Sequence, residues 1–255
     1  MSKHQYSSTD IRTPQSFQEK LDFIAKHPGM FAYPTTIHAI ITLLEGFETA
    51  FLIHTQRAVL HAWRDWSYGY LAVTPTSTRW ADALLRYYGS HEDAIRALPA
   101  LYQVYLEQHS LDAVIPHGLP QIPDSADRHF HLFLKDLATS PTNYVMEETI
   151  EDIRILLVGY SYAFNTKSQY PLGGWVRWIE LHFLIRSAAW SWAKILLHAY
   201  GDNDSAIRSL PDLYEKFLIQ RAQLGVKGIE QELEKQLIST YGHPWHYPLN
   251  EPYSD

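Results

Sequence analysis

Two Trp-x-x-Trp pairs, Trp63/Trp66 and Trp175/Trp178, are the most conspicuous candidates for recognition chemistry in this chain. Residues three apart share one helix face, so each pair is either an aromatic wall for a ligand or partner, or core packing between helices. Arg96 and Arg208 sit inside otherwise apolar segments. A planar guanidinium beside such a stripe suits a carboxylate or another anion, or else snorkels to a surface ion pair. Glu147, Glu148, Glu151 and Asp152 crowd one helix start. They either complement the positive end of the helix or form an acidic patch for a basic partner.

Catalytic spacings are missing. The 14 histidines are scattered, with no His-Glu-x-x-His and no paired Glu-x-x-His, so neither a metal site nor a cofactor is expected. His54 and His61 are seven apart and could share a face only if one helix joins them. With no cysteine, thiolate zinc sites, disulfides and cysteine nucleophiles are excluded. No Gly-rich phosphate loop, Gly-x-Ser-x-Gly elbow or kinase signature set occurs. A net charge of −7 opposes the cationic surface that nucleic-acid binding requires.

The elements that carry these residues come in two sets. Trp80–Gln108 aligns without a gap on Trp192–Gln220 at an offset of 112, with 15 identities in 29 positions. Trp63 and Trp66 meet Trp175 and Trp178 at the same offset, whereas Gly46, Ala50 and Phe51 meet Gly159, Ala163 and Phe164 at 113. Further upstream, Phe17, Leu21, Ala25 and Pro28 meet Phe130, Leu134, Ala138 and Pro141. The chain therefore reads as a tandem duplication.

Apolar residues within each set recur at helical spacing, as from Ala94 to Leu106, and no period-two alternation is visible. The expected fold is all-α: two tandem pseudo-symmetric units of four to five helices plus a C-terminal helix. The expected boundaries are a polar tail over 1–16, a first unit over 17–112, a Pro-rich linker over 113–129, a second unit over 130–222, and a C-terminal helix and tail over 223–255. Helices are predicted over 34–53 and 146–164, Ser90 and Asp202 as helix starts, and Ile229–Tyr241 as a separate last helix. Gly89 and Gly201 should close helices, and Pro99 and Pro211 should end or kink them. Glu45, Glu48, Glu180, Arg186 and Lys194 interrupt the long apolar runs, so no membrane span is expected. With no signal segment visible, a cytoplasmic protein is expected.

Lys26-His27-Pro28-Gly29-Met30-Phe31, followed by Leu43-Leu44-Glu45-Gly46-Phe47, resembles small bacterial proteins that begin Arg-Pro-Gly-Met-Tyr before a Leu-x-Gly-Tyr helix. Gly174-Trp175-Val176-Arg177-Trp178 and Ser191-Trp192-Ala193-Lys194 are similar to the later Gly-aromatic-x-x-Trp and Ser-Trp-Ala-Lys elements of the same proteins. The front motif is better kept in the first unit and the back motifs in the second; Ser140-Pro141-Thr142-Asn143 departs from the pattern. Some of these proteins look like immunity proteins of polymorphic-toxin systems. The resemblance implies a non-enzymatic inhibitor that binds a protein toxin, and it carries no catalytic residues. The residues alone leave open a ligand-binding protein or enzyme using an aromatic pocket between the units. A monomer with internal pseudo-two-fold symmetry is the expected state.

Overall fold

The computed structural model describes residues 17–56, 58, 60–74, 79–109, 126–164, 170–186 and 190–244. The expected 1–16 tail, residues 113–125 of the expected linker, and 245–255 lie outside them. The described residues form ten α-helices and no strand, so the fold is all-α. The helices are α1 (Phe17–Lys26), α2 (Ile37–Thr55), α3 (Leu60–Tyr70), α4 (Trp80–Tyr88), α5 (His91–Gln108), α6 (Ala126–Thr139), α7 (Ile150–Tyr162), α8 (Trp175–Phe183), α9 (Trp192–Tyr200) and α10 (Asn203–Tyr241). Short 3-10 turns, Pro28–Met30 and Pro141–Asn143, follow α1 and α6. The order helix, 3-10 turn, then four helices thus occurs once in α1–α5 and once in α6–α10.

Local chemistry sets the boundaries. Thr36 and Thr149 accept the backbone N–H groups of Ala39 and Asp152 and start α2 and α7. Ser90 and Asp202 do the same for α5 and α10, because a helix start leaves its first N–H groups without intrahelical partners. Gly89 and Gly201 close α4 and α9, donating to Leu85 and Leu197.

Two expectations are corrected and one is met. Pro99 and Pro211 lie inside α5 and α10, which run on through them. Each proline removes one backbone hydrogen bond, but the neighbours Leu98, Leu101, Leu210 and Leu213 are sealed in the core and hold the helix together. The expected separate last helix is present: within Asn203–Tyr241, labelled α10 as a whole, two helices meet at a kink whose one non-helical residue is Gly225 (φ 68°, ψ 168°), a few residues before the expected start at Ile229. At that angle the chain bends, a conformation favouring a residue without Cβ. Finally, 126–129, assigned above to a linker, are the first turn of α6.

The two sets meet mainly along α2 and α7. A Cβ added to Gly46 would stand 1.9 Å from the carbonyl oxygen of Leu156, and one added to Gly159 would stand 1.8 Å from that of Leu43. The two helices cross backbone against backbone, each glycine admitting the carbonyl of the other helix. Among the described residues α2 is the one helix whose length and composition could span a membrane. Its Ile37–His54 stretch is 67% buried within the protein, largely by this crossing.

Equivalent contacts recur on both sides of the crossing. Trp66 Nε1 donates to Gln108 Oε1 at 3.0 Å, and Trp178 Nε1 donates to Gln220 Oε1 at 2.8 Å. Trp63 lies edge-on to Trp80, as Trp175 does to Trp192. The N–H of Ile37 donates to His91 Nδ1 at 3.3 Å, and that of Ile150 to Asn203 Oδ1 at 2.9 Å. Beyond Gly225, Glu230 ties α10 back to Arg177 of α8 at 2.9 Å and to Arg186, just past α8, at 2.5 Å.

Candidate functional site

The sequence-derived candidates scatter. Trp63, Trp175 and Trp178 are 0%, 2% and 1% exposed, packed among Tyr102, Tyr214 and Phe217. Their rings fill the interior of each half, and Trp66 is half-buried over Tyr70 and Tyr105. Arg96 is exposed and pairs with Glu92 and Asp93 on its own helix; Arg208 pairs with Asp204 at 2.8 Å. Exposed pairs of this kind hold ~0.5 kcal/mol or less. Arg96 also edges a hollow of about 710 Å3 between α1 and α5, with Asp22, Lys26 and Thr35.

The acidic cluster divides. Asp152 completes the α7 cap, accepting the Thr149 hydroxyl at 2.6 Å, and burial raises its pKa above the ordinary carboxylate value. Glu151 accepts Arg154 Nε at 2.6 Å and Ser191 Oγ at 3.1 Å. Glu147 and Glu148 stay exposed. His54 and His61 lie on different helices, with His54 3.1 Å from the Tyr160 hydroxyl. Burial and the nearby His129 lower the His54 pKa. Among the described residues no three His, Cys, Asp or Glu side chains are grouped to hold a metal.

A cleft of about 790 Å3 lies between the two halves, where the sequence left a pocket open, but none of the tryptophan or arginine candidates lines it. One wall is Gly29–Tyr33, the turn after α1 in the first half. The other is built from the second half: Thr149, Ile150, Glu151 and Arg154 at the start of α7, Ser191, Ala193, Lys194 and Leu197 of α9, and Asn203 at the start of α10. Met30 and Tyr33 are 68% and 82% exposed, unusually open for large apolar side chains, and Leu197 is 37% exposed. Polar side chains of the lining are bonded to one another. Ser191 caps α9 by accepting the N–H of Lys194 while donating its hydroxyl to Glu151, and the Lys194 ammonium lies 5.1 Å from the centre of the Trp190 ring.

The two cleft walls are Gly-Met-Phe of the front motif and Ser-Trp-Ala-Lys of the back motif. These stretches, some 160 residues apart in sequence, come together across the crossing of α2 and α7.

At the aligned positions on the opposite side the chemistry is different. Glu151, Arg154, Ser191, Lys194 and Asn203 correspond to His38, Ile41, Arg79, Asp82 and His91; Met30 corresponds to Asn143. There His38 Nε2 meets Asp82 Oδ1 at 2.7 Å and Arg79 Nε donates to Asp82 Oδ2 at 3.1 Å. The bond from His38 leads in holding the Asp82 carboxyl below its ordinary pKa. Where one side has an acid on the long central helix and a base on the short one, the other side has them reversed.

No known protein family, curated protein or solved structure matches the chain.

Proposed function

We propose that this chain is a non-enzymatic bacterial binding protein, an immunity-type inhibitor that neutralises a cognate protein toxin by direct contact, with the cleft between its halves at the centre of the contact surface. One observation carries the reading: Gly29–Phe31 and residues from Ser191 to Lys194, which belong to the two stretches resembling such proteins, line one cleft together with the open side chains Met30 and Tyr33. Exposed large apolar residues beside a concavity are what protein contacts seal. The net charge of −7 adds long-range attraction to a toxin with a basic surface, as a nuclease would have.

In this reading the α1–α5 and α6–α10 sets are tandem copies of one unit. The chain supplies both partners of a pseudo-two-fold pair and works as a monomer in the cytoplasm. A single chain can then differentiate its two faces, as a symmetric homodimer cannot. The test is co-expression with the products of neighbouring genes. Growth rescue from one toxic product, together with a 1:1 complex by light scattering, supports the reading. If no neighbouring product is toxic or binds, the reading fails.

A further inference from the structure

We infer that the outer face of α3 is a further docking surface, and that it takes an amphipathic helix of a partner protein, with Leu or Ile at three positions four residues apart and a Lys or Arg directly after the first. No residue of α3 lines the cleft, so the inference goes beyond the function proposed above and does not rest on it.

The second half of the molecule shows what such a face holds. Beyond Gly225, α10 lies along α8 as an amphipathic arm. Ile229, Leu233 and Leu237, four apart on one face, are fully buried. Glu230 meets Arg177 and Arg186, Glu234 meets Arg186, and Val226 closes against Gly174, where an added Cβ would come within 3.2 Å of it. In that half Trp178 and Leu181 are 1% and 4% exposed.

At the 112-residue offset α3 is the counterpart of α8, and among the described residues it packs on α2, α4 and α5 with no helix in the place of the arm. The face stands open accordingly. Trp66 is only half-buried where Trp178 is sealed. Gly69, in the place of Leu181, has nothing within 4 Å of where a Cβ would stand. Tyr70, stacked on Trp66 at 5.0 Å, is 46% exposed.

Sequence and charge select the occupant. The stretch that follows α5 does not carry the stripe of the arm: in place of Ile229, Leu233 and Leu237 it has His117, Gln121 and Ser125. The arm of a second copy does not suit the face either, because Asp65 and Thr74 stand where Glu230 and Glu234 find Arg177 and Arg186. Asp65, 71% exposed, would meet Glu230 with like charge. Its neighbour Arg64, 3.5 Å away, takes the place of Val176, which is 45% exposed beside the arm and so lies outside its footprint. A helix of another protein with the same stripe and a base in the place of Glu230 satisfies both the apolar face and Asp65.

The probe is a synthetic Val226–Tyr241 peptide carrying Glu230→Lys and Glu234→Lys, held helical by a lactam bridge on its outer face and fitted with a benzophenone. Its binding to the full chain is measured by fluorescence polarisation, and its photocrosslinks are mapped by mass spectrometry. Crosslinks are expected within residues 61–73. Gly69→Glu and Asp65→Arg should each weaken binding about tenfold, while Ile219→Glu, at an exposed position of α10, changes nothing; unchanged melting temperatures confirm that the variants fold. Asp65→Arg should in turn bind the unaltered Val226–Tyr241 peptide more tightly than wild type does. No binding overturns the inference, and so do crosslinks on α8, which would mean that the probe displaces the arm. Equal binding of the unaltered peptide by wild type also overturns it and gives the face to a second copy of the chain. A tenfold gain on replacing residues 110–125 with a Gly-Ser linker overturns it by giving the face to the chain itself.

Discussion

Replacing Gly159 with alanine should destabilise the protein more than any surface change, although alanine is the better helix former by about 1 kcal/mol. The new Cβ would lie 1.8 Å from the carbonyl oxygen of Leu43, where contacts under 3.0 Å are essentially never tolerated, so the helices must part by at least 1.2 Å (3.0 minus 1.8). Both obstructing atoms are backbone, and no rotamer change relieves them. A gap of ~1 Å forfeits a quarter to a half of the dispersion attraction along the contact, and overpacking of this kind costs roughly 1–3 kcal/mol or more. A net loss of about 3 kcal/mol is expected, or ~6–12 °C in melting temperature for a chain of this size. Gly46→Ala, with its clash at 1.9 Å, should behave alike. The double variant should lose less than the sum, because one opening of the crossing accommodates both methyl groups. Gly69→Ala is the control: it lies in α3 with nothing within 4 Å, and should stabilise by about 0.5–1 kcal/mol. Urea and thermal unfolding followed by far-UV circular dichroism would measure all four. Neutral or stabilising Gly46→Ala and Gly159→Ala would refute the close crossing of α2 and α7.

Three other perturbations probe the same interior. Lys20 is 1% exposed, donates to the Tyr162 carbonyl, and burial lowers its pKa from 10.5 to about 8. Its charged form is therefore disfavoured on folding, so wild-type stability should rise between pH 8 and 10.5; Lys20→Met should stabilise at pH 7 by about 1–3 kcal/mol and abolish that rise, as read by urea midpoints. Burial raises the Glu45 pKa from 4.5 to about 7, so the folded state holds a proton that the unfolded chain has released, and stability should fall as pH climbs through that window by at most about 3 kcal/mol. Glu45→Gln should remove this fall, seen by comparing unfolding at pH 5 and pH 8. Trp178→Phe, which strips the bond to Gln220, should cost about 1–2 kcal/mol in chemical unfolding, and Trp66→Phe less, because its partner Gln108 is open to water.

Much of this fold was legible because it is local. Helix spacing, the Ser90 and Asp202 caps and the closing glycines Gly89 and Gly201 each depend on a few consecutive residues. The breaks expected at Pro99 and Pro211 did not occur because burial of the flanking leucines outweighs one missing hydrogen bond. Gly46 and Gly159 aligned in the sequence, but periodicity cannot say that two aligned glycines face each other. Glu48 is similar: its carboxylate accepts the N–H groups of Leu60 and His61 and starts α3 from a neighbouring helix, a cap no local pattern announces. The candidate site was the least legible. Trp63, Trp175 and Trp178 stood out by type and went to the core, where large aromatic area is most useful. Met30, Tyr33 and Lys194 are ordinary in type and line one cleft only because the crossing of α2 and α7 brings their segments together.

The most direct test of the account is affinity capture with the tagged full chain, run beside its Met30→Glu and Lys194→Glu variants and read by mass spectrometry. A stoichiometric toxin-like partner that wild type retains and both variants lose is the predicted result. A wild-type chain that retains no partner, even when each neighbouring gene product is co-expressed with it, would contradict the claim that this molecule works by binding another protein.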